Sequence, residues 1–93
     1  MNSILSNVQK CYLCGESRAL HKHHIYFGNP KRKLSEQYGC WVYLCPKCHN
    51  MSNNGVHFNH DKDMKLKQEC QMAWEQLYGT RDDFRRVFGK SYL

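Results

Sequence analysis

Cys11-Tyr12-Leu13-Cys14, His23-His24-Ile25 and Leu44-Cys45-Pro46-Lys47-Cys48-His49 are the three pieces of sequence on which the fold turns. Zn²⁺ favours four soft ligands in a tetrahedron. Two Cys-x-x-Cys pairs separated by a loop are therefore a strong signal for a structural clamp on Cys11, Cys14, Cys45 and Cys48. No zinc ribbon needs the histidines. An adjacent pair between the knuckles, and a third directly after the last cysteine, point to a second site of different chemistry.

Working outward, 93 residues make a single domain, 1–93, with little interior. Chains this short often recruit a metal to make up missing core energy. Residues 1–10 are polar apart from Ile4, Leu5 and Val8, so they hold no signal-peptide core. No apolar run approaches the roughly 20 residues of a membrane helix. The expectation is a cytoplasmic protein with no membrane partner, whose reduced thiols bind metal instead of forming disulfides. Cys40 and Cys70 fall outside the knuckle spacing and read as partly buried small apolar residues.

Lys and Arg exceed Asp and Glu by 14 to 8, a formal charge of +6. A basic domain of this size suits nucleic acid, whose phosphates attract cations whatever the base sequence. Two runs stand out: Lys31-Arg32-Lys33 after Pro30, and Arg81, Arg85, Arg86 and Lys90 near the end. Either alone reads as a solvated face.

The local pattern predicts an α+β domain. Cys11 to Gly15 is a knuckle, and His21 to Phe27 a strand that Gly28-Asn29-Pro30 terminates. Lys31 to Gly39 reads as a polar loop with one helical turn, Ser35 to Tyr38. Trp41 to Leu44 is a second strand, which gives a two-stranded hairpin that must pack on something. Pro46 suits a helical first turn, so a short helix is expected from Pro46 to Asn53, ended by Asn53-Asn54-Gly55. A longer helix is expected over 61–78, with Met64, Cys70, Trp74, Leu77 and Tyr78 on one face. Thr80-Arg81-Asp82-Asp83 resembles a capping box and starts a last helix over 81–88.

His23-His24-Ile25, a loop, then Leu44-Cys45-x-x-Cys48-His49 resembles the HNH endonuclease motif. That family folds as a β-hairpin and helix around one metal ion (the ββα-metal, or His-Me, finger), often with a four-cysteine zinc clamp. The resemblance covers residues 11–57, and more loosely the chain is similar to small HNH-type proteins of phages and prophages. It implies a metal-dependent DNA endonuclease or nicking enzyme hydrolysing phosphodiester bonds. His24 would be the general base, and His23 and His49 ligands of a second divalent ion such as Mg²⁺, Mn²⁺, Ni²⁺ or Zn²⁺. The third ligand would be Asn53, one helical turn after His49, or alternatively His57, a better donor for a transition metal.

Under the same resemblance Lys31, Arg32 and Lys33 would grip DNA phosphates, with no small-molecule substrate. Packaging or recombination proteins of a phage would be possible partners, and the compartment a bacterial cytoplasm. One position departs from the pattern: where the family places the Asn that orients its base stands Cys40, a poor substitute for an amide. The alternative is a non-catalytic zinc module binding nucleic acid or protein. Redox chemistry ranks last, because a thioredoxin-type site needs one Cys-x-x-Cys in a βαβ context.

Overall fold

The computed structural model describes residues 2–53 and 55–93. Met1, part of the expected N-terminal tail, and Asn54, part of the expected helix-ending turn, lie outside them. The elements run β1 (His21–His24), α1 (Lys31–Tyr38), β2 (Trp41–Leu44), α2 (Pro46–His49), α3 (His60–Leu77) and α4 (Arg81–Phe88). β1 and β2 pair antiparallel, with His21 opposite Leu44 and His24 opposite Trp41. This is the small α+β architecture expected: a two-stranded hairpin with helices and a four-cysteine cluster.

The first strand stops three residues earlier than its Ile-Tyr-Phe run suggests. Ile25 N–H still donates to Cys40 O across the hairpin (2.9 Å). Tyr26 then turns to α1: its N–H donates to Ser35 Oγ (3.1 Å), and Ser35 Oγ donates to Tyr26 O (2.6 Å). One buried hydroxyl satisfies both backbone groups that a strand partner would have taken, and the ladder ends.

α1 is longer than the single turn expected. Its eight residues begin in the basic run itself and end at Tyr38, capped by Gly39, whose φ of 72° is left-handed. Ser35 is fully buried, with Leu34 and Tyr38 against the core, so tertiary burial makes a helix of a stretch that reads as loop. The N-terminal tail is docked. Ile4 N–H donates to Gly39 O (2.9 Å), Ile4 and Leu5 pack on the core, and Val8 stays exposed.

The core is largely aromatic. Tyr26 lies 4.6 Å from Phe88 and 5.4 Å from Phe84 between ring centroids, and its hydroxyl donates to Lys67 O in α3 (2.7 Å). Leu66, Cys70 and Trp74 form the buried stripe of α3. That corrects the expected face: Leu66 belongs to it, Leu77 is 61% exposed, Tyr78 is exposed, and Met64 is only half-buried. Cys40 and Cys70 are both fully buried, deeper than the partial burial expected of them. The capping box on α4 is present, with Asp83 N–H donating to Thr80 Oγ1 (3.1 Å) and Thr80 N–H to Asp83 Oδ2 (2.9 Å). Among the described residues no helix is long and apolar enough to cross a membrane.

Candidate metal centres and the cleft between them

The four sulfurs meet where the hairpin joins α2. Gly15, at φ 82°, turns the first knuckle so that its N–H returns to Cys11 O (2.9 Å). Tyr12 N–H donates to Tyr43 O (2.8 Å), laying the knuckle along β2, and Tyr12 Oη donates to Glu69 Oε2 in α3 (2.9 Å). Cys45 precedes Pro46 in extended backbone, and its carbonyl accepts from Cys48 N–H (3.1 Å) and His49 N–H (2.9 Å). Cys14 Sγ and Cys45 Sγ stand 3.5 Å apart, and the four sulfurs all lie within 4.8 Å of one another. Such a cluster could hold a metal such as zinc.

The sulfurs also influence one another electrically. Burial would raise the Cys11 thiol, but hydrogen bonds from the backbones of Cys45, Cys14 and Leu13 outweigh it and bring it down to about 6. Burial, then hydrogen bonds with the other three thiols, push Cys48 far above its usual range. Ionising one sulfur makes the next harder to ionise, a conflict that a bound cation removes.

The second group is built of nitrogen. His23, His49 and His57 place their ligand atoms within 4.8 Å of one another. His49 Nε2 and His57 Nε2 are 3.1 Å apart, and His23 lies 5.1 Å and 5.3 Å from those two rings between centroids. His23 is 2% exposed, and its Nε2 has no hydrogen-bond partner. Burial first, then the neighbouring His49 and His57, drive its pKa down to about 3, so the ring is neutral at ordinary pH. Burial, then His57 and His21, lower His49 as well. Three imidazoles turned toward one point, one with an orphaned buried nitrogen, could hold a divalent ion.

His57 arrives by a loop that closes on α2. Val56 N–H donates to Cys48 O (2.8 Å) and His57 N–H to His49 O (3.2 Å). Gly55 makes this approach possible, because a Cβ there would lie 2.8 Å from His49 O. The helix expected from Pro46 to Asn53 forms only over Pro46–His49. Asn50, at φ −150°, leaves helical geometry immediately after His49, so Asn53 does not stand one turn above it. Asn53 is exposed in the turn that follows. Asn53 and His49 therefore do not share a helical face.

His24 takes the other side of the hairpin. Its Nε2 lies 2.7 Å from Glu36 Oε2, while Glu36 Oε1 accepts from Lys22 Nζ (2.6 Å), and Lys22 Nζ sits 4.4 Å above the Trp41 ring. A cleft of ≈ 320 Å³ is walled by His23, His49 and His57 and by His24, Lys22 and Arg32. A second hollow is formed by Lys22, His24, Arg32, Lys33 and Glu36. His24, Lys22 and Arg32 border both. Of the expected phosphate-gripping run, Arg32 faces the imidazoles, Lys33 lines the outer hollow, and Lys31 lines neither. The run belongs to the first turn of a helix, not to a loop. The C-terminal basic group is largely compensated: Arg81, Arg85 and Arg86 pair with Glu75, Asp82 and Asp83.

Two residues that sequence reasoning passed over sit at this site. Glu36 lies inside a basic stretch, and its one signal is the four-residue spacing from Arg32, which matters only once α1 is known to be helical. His21 is exposed, yet its Nδ1 lies 3.0 Å from His49 Nδ1. His60 is exposed at the start of α3. No family model, curated protein or solved structure matches this chain.

Proposed function

We propose that this chain is a metal-dependent endonuclease or nicking enzyme of the HNH kind, which it resembles in its cysteine and histidine pattern, acting on DNA. The observation that carries the reading is the juxtaposition of two unlike histidine environments on one cleft. On one wall are three imidazoles, His23, His49 and His57, whose nitrogens converge; on the other is a single imidazole, His24, hydrogen-bonded to a carboxylate. The four cysteines hold a structural zinc. The three histidines hold a divalent ion, with His57 as third ligand in place of Asn53. That ion supplies Lewis-acid stabilisation of charge on a phosphate oxygen when bound.

The residues of the chain do the rest. His24 accepts the proton of the water that attacks the phosphodiester phosphorus. Arg32, with its planar guanidinium, holds a phosphate at the mouth of the cleft, and Lys33 continues the cationic track outward. The sulfur clamp ties β2 to α2, which keeps His23 and His49 in register across the hairpin.

The test is nicking of supercoiled plasmid in the presence of a divalent metal. His24→Ala should lower the rate by roughly 10²–10⁴-fold, the contribution typical of a general base. A variant that nicks as fast as its parent removes His24 from the chemistry.

One observation favours the competing reading of a non-catalytic zinc module. The residue at the place of the family's orienting Asn, Cys40, is wholly buried and offers its carbonyl to Ile25 rather than a side chain to His24. Metal counting separates the two. A bare module holds one ion per chain, lost with the cysteines; the nuclease holds a second, weaker ion, lost in His23→Ala or His49→Ala.

A further inference from the structure

We propose that Glu36 is the positioning residue of His24, supplied by α1 to do what the residue at position 40 cannot. The inference rests on the reading of His24 as a base, and it fixes which nitrogen of the ring does the work.

The geometry begins with alternation along β1. His23 and His24 turn to opposite sides of the strand, so His24 leaves the cluster formed by His23, His49 and His57. On its own side it meets α1. Glu36 stands one helical turn after Arg32, and the two share the hollow that His24 borders. Its carboxylate is divided between two neighbours, Lys22 Nζ on Oε1 at 2.6 Å and His24 Nε2 on Oε2 at 2.7 Å. The hydrogen bonds from Lys22, then His24, hold Glu36 below the usual carboxylate range, so it is ionised at neutral pH.

An ionised carboxylate can only accept. His24 Nε2 must therefore carry a hydrogen and donate it to Glu36. In the neutral ring that leaves the lone pair on Nδ1, which becomes the atom able to take a proton from water. A carboxylate behind a histidine fixes both ring orientation and tautomer, and stabilises the imidazolium once it forms. Lys22 holds the carboxylate from its far oxygen and is itself seated over Trp41 at 4.4 Å. Lys22, Glu36 and His24 thus form one chain of contacts linking the strand to the helix. Glu36 is about half exposed, with a side-chain accessibility of 46%, so its ion pair contributes little to folding. A position that adds little to stability yet bridges two functional neighbours can be altered without unfolding the protein.

The experiment uses the zinc-loaded 93-residue chain labelled with ¹⁵N, with Glu36→Ala beside the parent. Zinc content and melting temperature serve as the check that the variant folds. Long-range ¹H–¹⁵N correlation, recorded where the ring is neutral, identifies the protonated nitrogen of His24. The parent should show Nε2–H alone, and Glu36→Ala a mixture of both tautomers. On plasmid DNA with divalent metal the variant should lose kcat by about 10- to 100-fold, less than removal of the base itself, with KM unchanged. An Nδ1–H tautomer in the parent, an unaltered tautomer in Glu36→Ala, or a variant with parental kcat would overturn the role assigned to Glu36. A parent that keeps Nε2–H but cleaves nothing overturns the nuclease reading and leaves Glu36 as the group that sets the ring.

Discussion

His23 and His24 are neighbours in the chain and strangers in the structure. His23, 2% exposed, faces His49 and His57 with an unpartnered Nε2, whereas His24 turns to the opposite side of β1 and reaches Glu36 at 2.7 Å. A strand does this to any adjacent pair. Here it separates a neighbourhood crowded with nitrogen from one backed by a carboxylate. Both border one cleft.

The sulfur cluster should carry much of the folding free energy. The hairpin has only four residues in each strand, and α2 is a single turn. Neither is stable alone, and the cluster is what joins them. Stripping zinc with a strong chelator, or replacing Cys45 by Ser, should abolish the cooperative thermal transition seen by calorimetry. An unchanged melting transition after zinc removal would leave the four cysteines without a structural role.

Acid should weaken the fold through His23. Its folded pKa is about 3, against 6.5 for an ordinary histidine, because burial and neighbouring His49 and His57 disfavour the cation. A histidine lowered in the folded state contributes stability that is complete above the unfolded value. That stability is lost as pH falls from 6.5 toward 3, since only the unfolded chain takes up the proton. With zinc on the cysteines and no second metal added, stability should drop by about 1.4 kcal/mol between roughly pH 7.5 and pH 5.5 from this group alone. Urea unfolding of the parent and of His23→Gln across that window isolates the effect. A variant that loses stability as steeply as the parent would assign the acid sensitivity elsewhere.

The cations should divide sharply by location. Arg32 borders the imidazole cleft, while Arg85 is engaged by Asp82 at 3.1 Å on the exposed face of α4. Arg32→Ala should weaken DNA binding and reduce the slope of log affinity against log salt by about 1, the signature of one lost phosphate contact. Arg85→Ala should leave both quantities near their parental values. Fluorescence anisotropy with a labelled duplex, titrated at several salt concentrations, reads the two together. Equal effects from both arginines would mean that DNA meets the domain on another face.

What could be read from the chain was what depends on short spacing. The knuckles, the hairpin, the Thr80–Asp83 capping box and the opposition of His23 to His24 are local patterns, and the structure contains them. What escaped depends on distant partners. α1 is a helix because Leu34, Ser35 and Tyr38 find the core, and nothing in Lys31-Arg32-Lys33 announces that; Glu36 was hidden with it. The face of α3 is ambiguous in sequence, since Leu77 is as apolar as Leu66 and only the docking of the helix buries one of them. The rule that offers Asn53 as an alternative to His57 holds only inside helices, and Asn50 ends the helix first.

Gly55 offers a way to disturb the nitrogen site without touching a ligand. The loop that returns His57 to His49 runs so close to the end of α2 that a Cβ on residue 55 would meet His49 O at 2.8 Å, His49 C at 2.9 Å and Asn50 N at 3.1 Å. All three are backbone atoms and cannot swing aside as a side-chain tip can. Gly55→Ala must therefore lift the loop, lengthening the 3.2 Å bond from His57 N–H to His49 O and carrying the His57 ring away from its 3.1 Å approach to His49. None of the four cysteines lies on this loop, so the sulfur cluster should keep its zinc. Isothermal titration of the zinc-loaded protein with Mn²⁺ or Ni²⁺ should then show affinity for the second ion reduced by about 10- to 100-fold, the loss typical when the support of a ligand is removed. Zinc content per chain should stay at the parental value. Parental affinity for the second ion in Gly55→Ala would mean that His57 is not among its ligands, and the search for the third donor would return to the turn around Asn53.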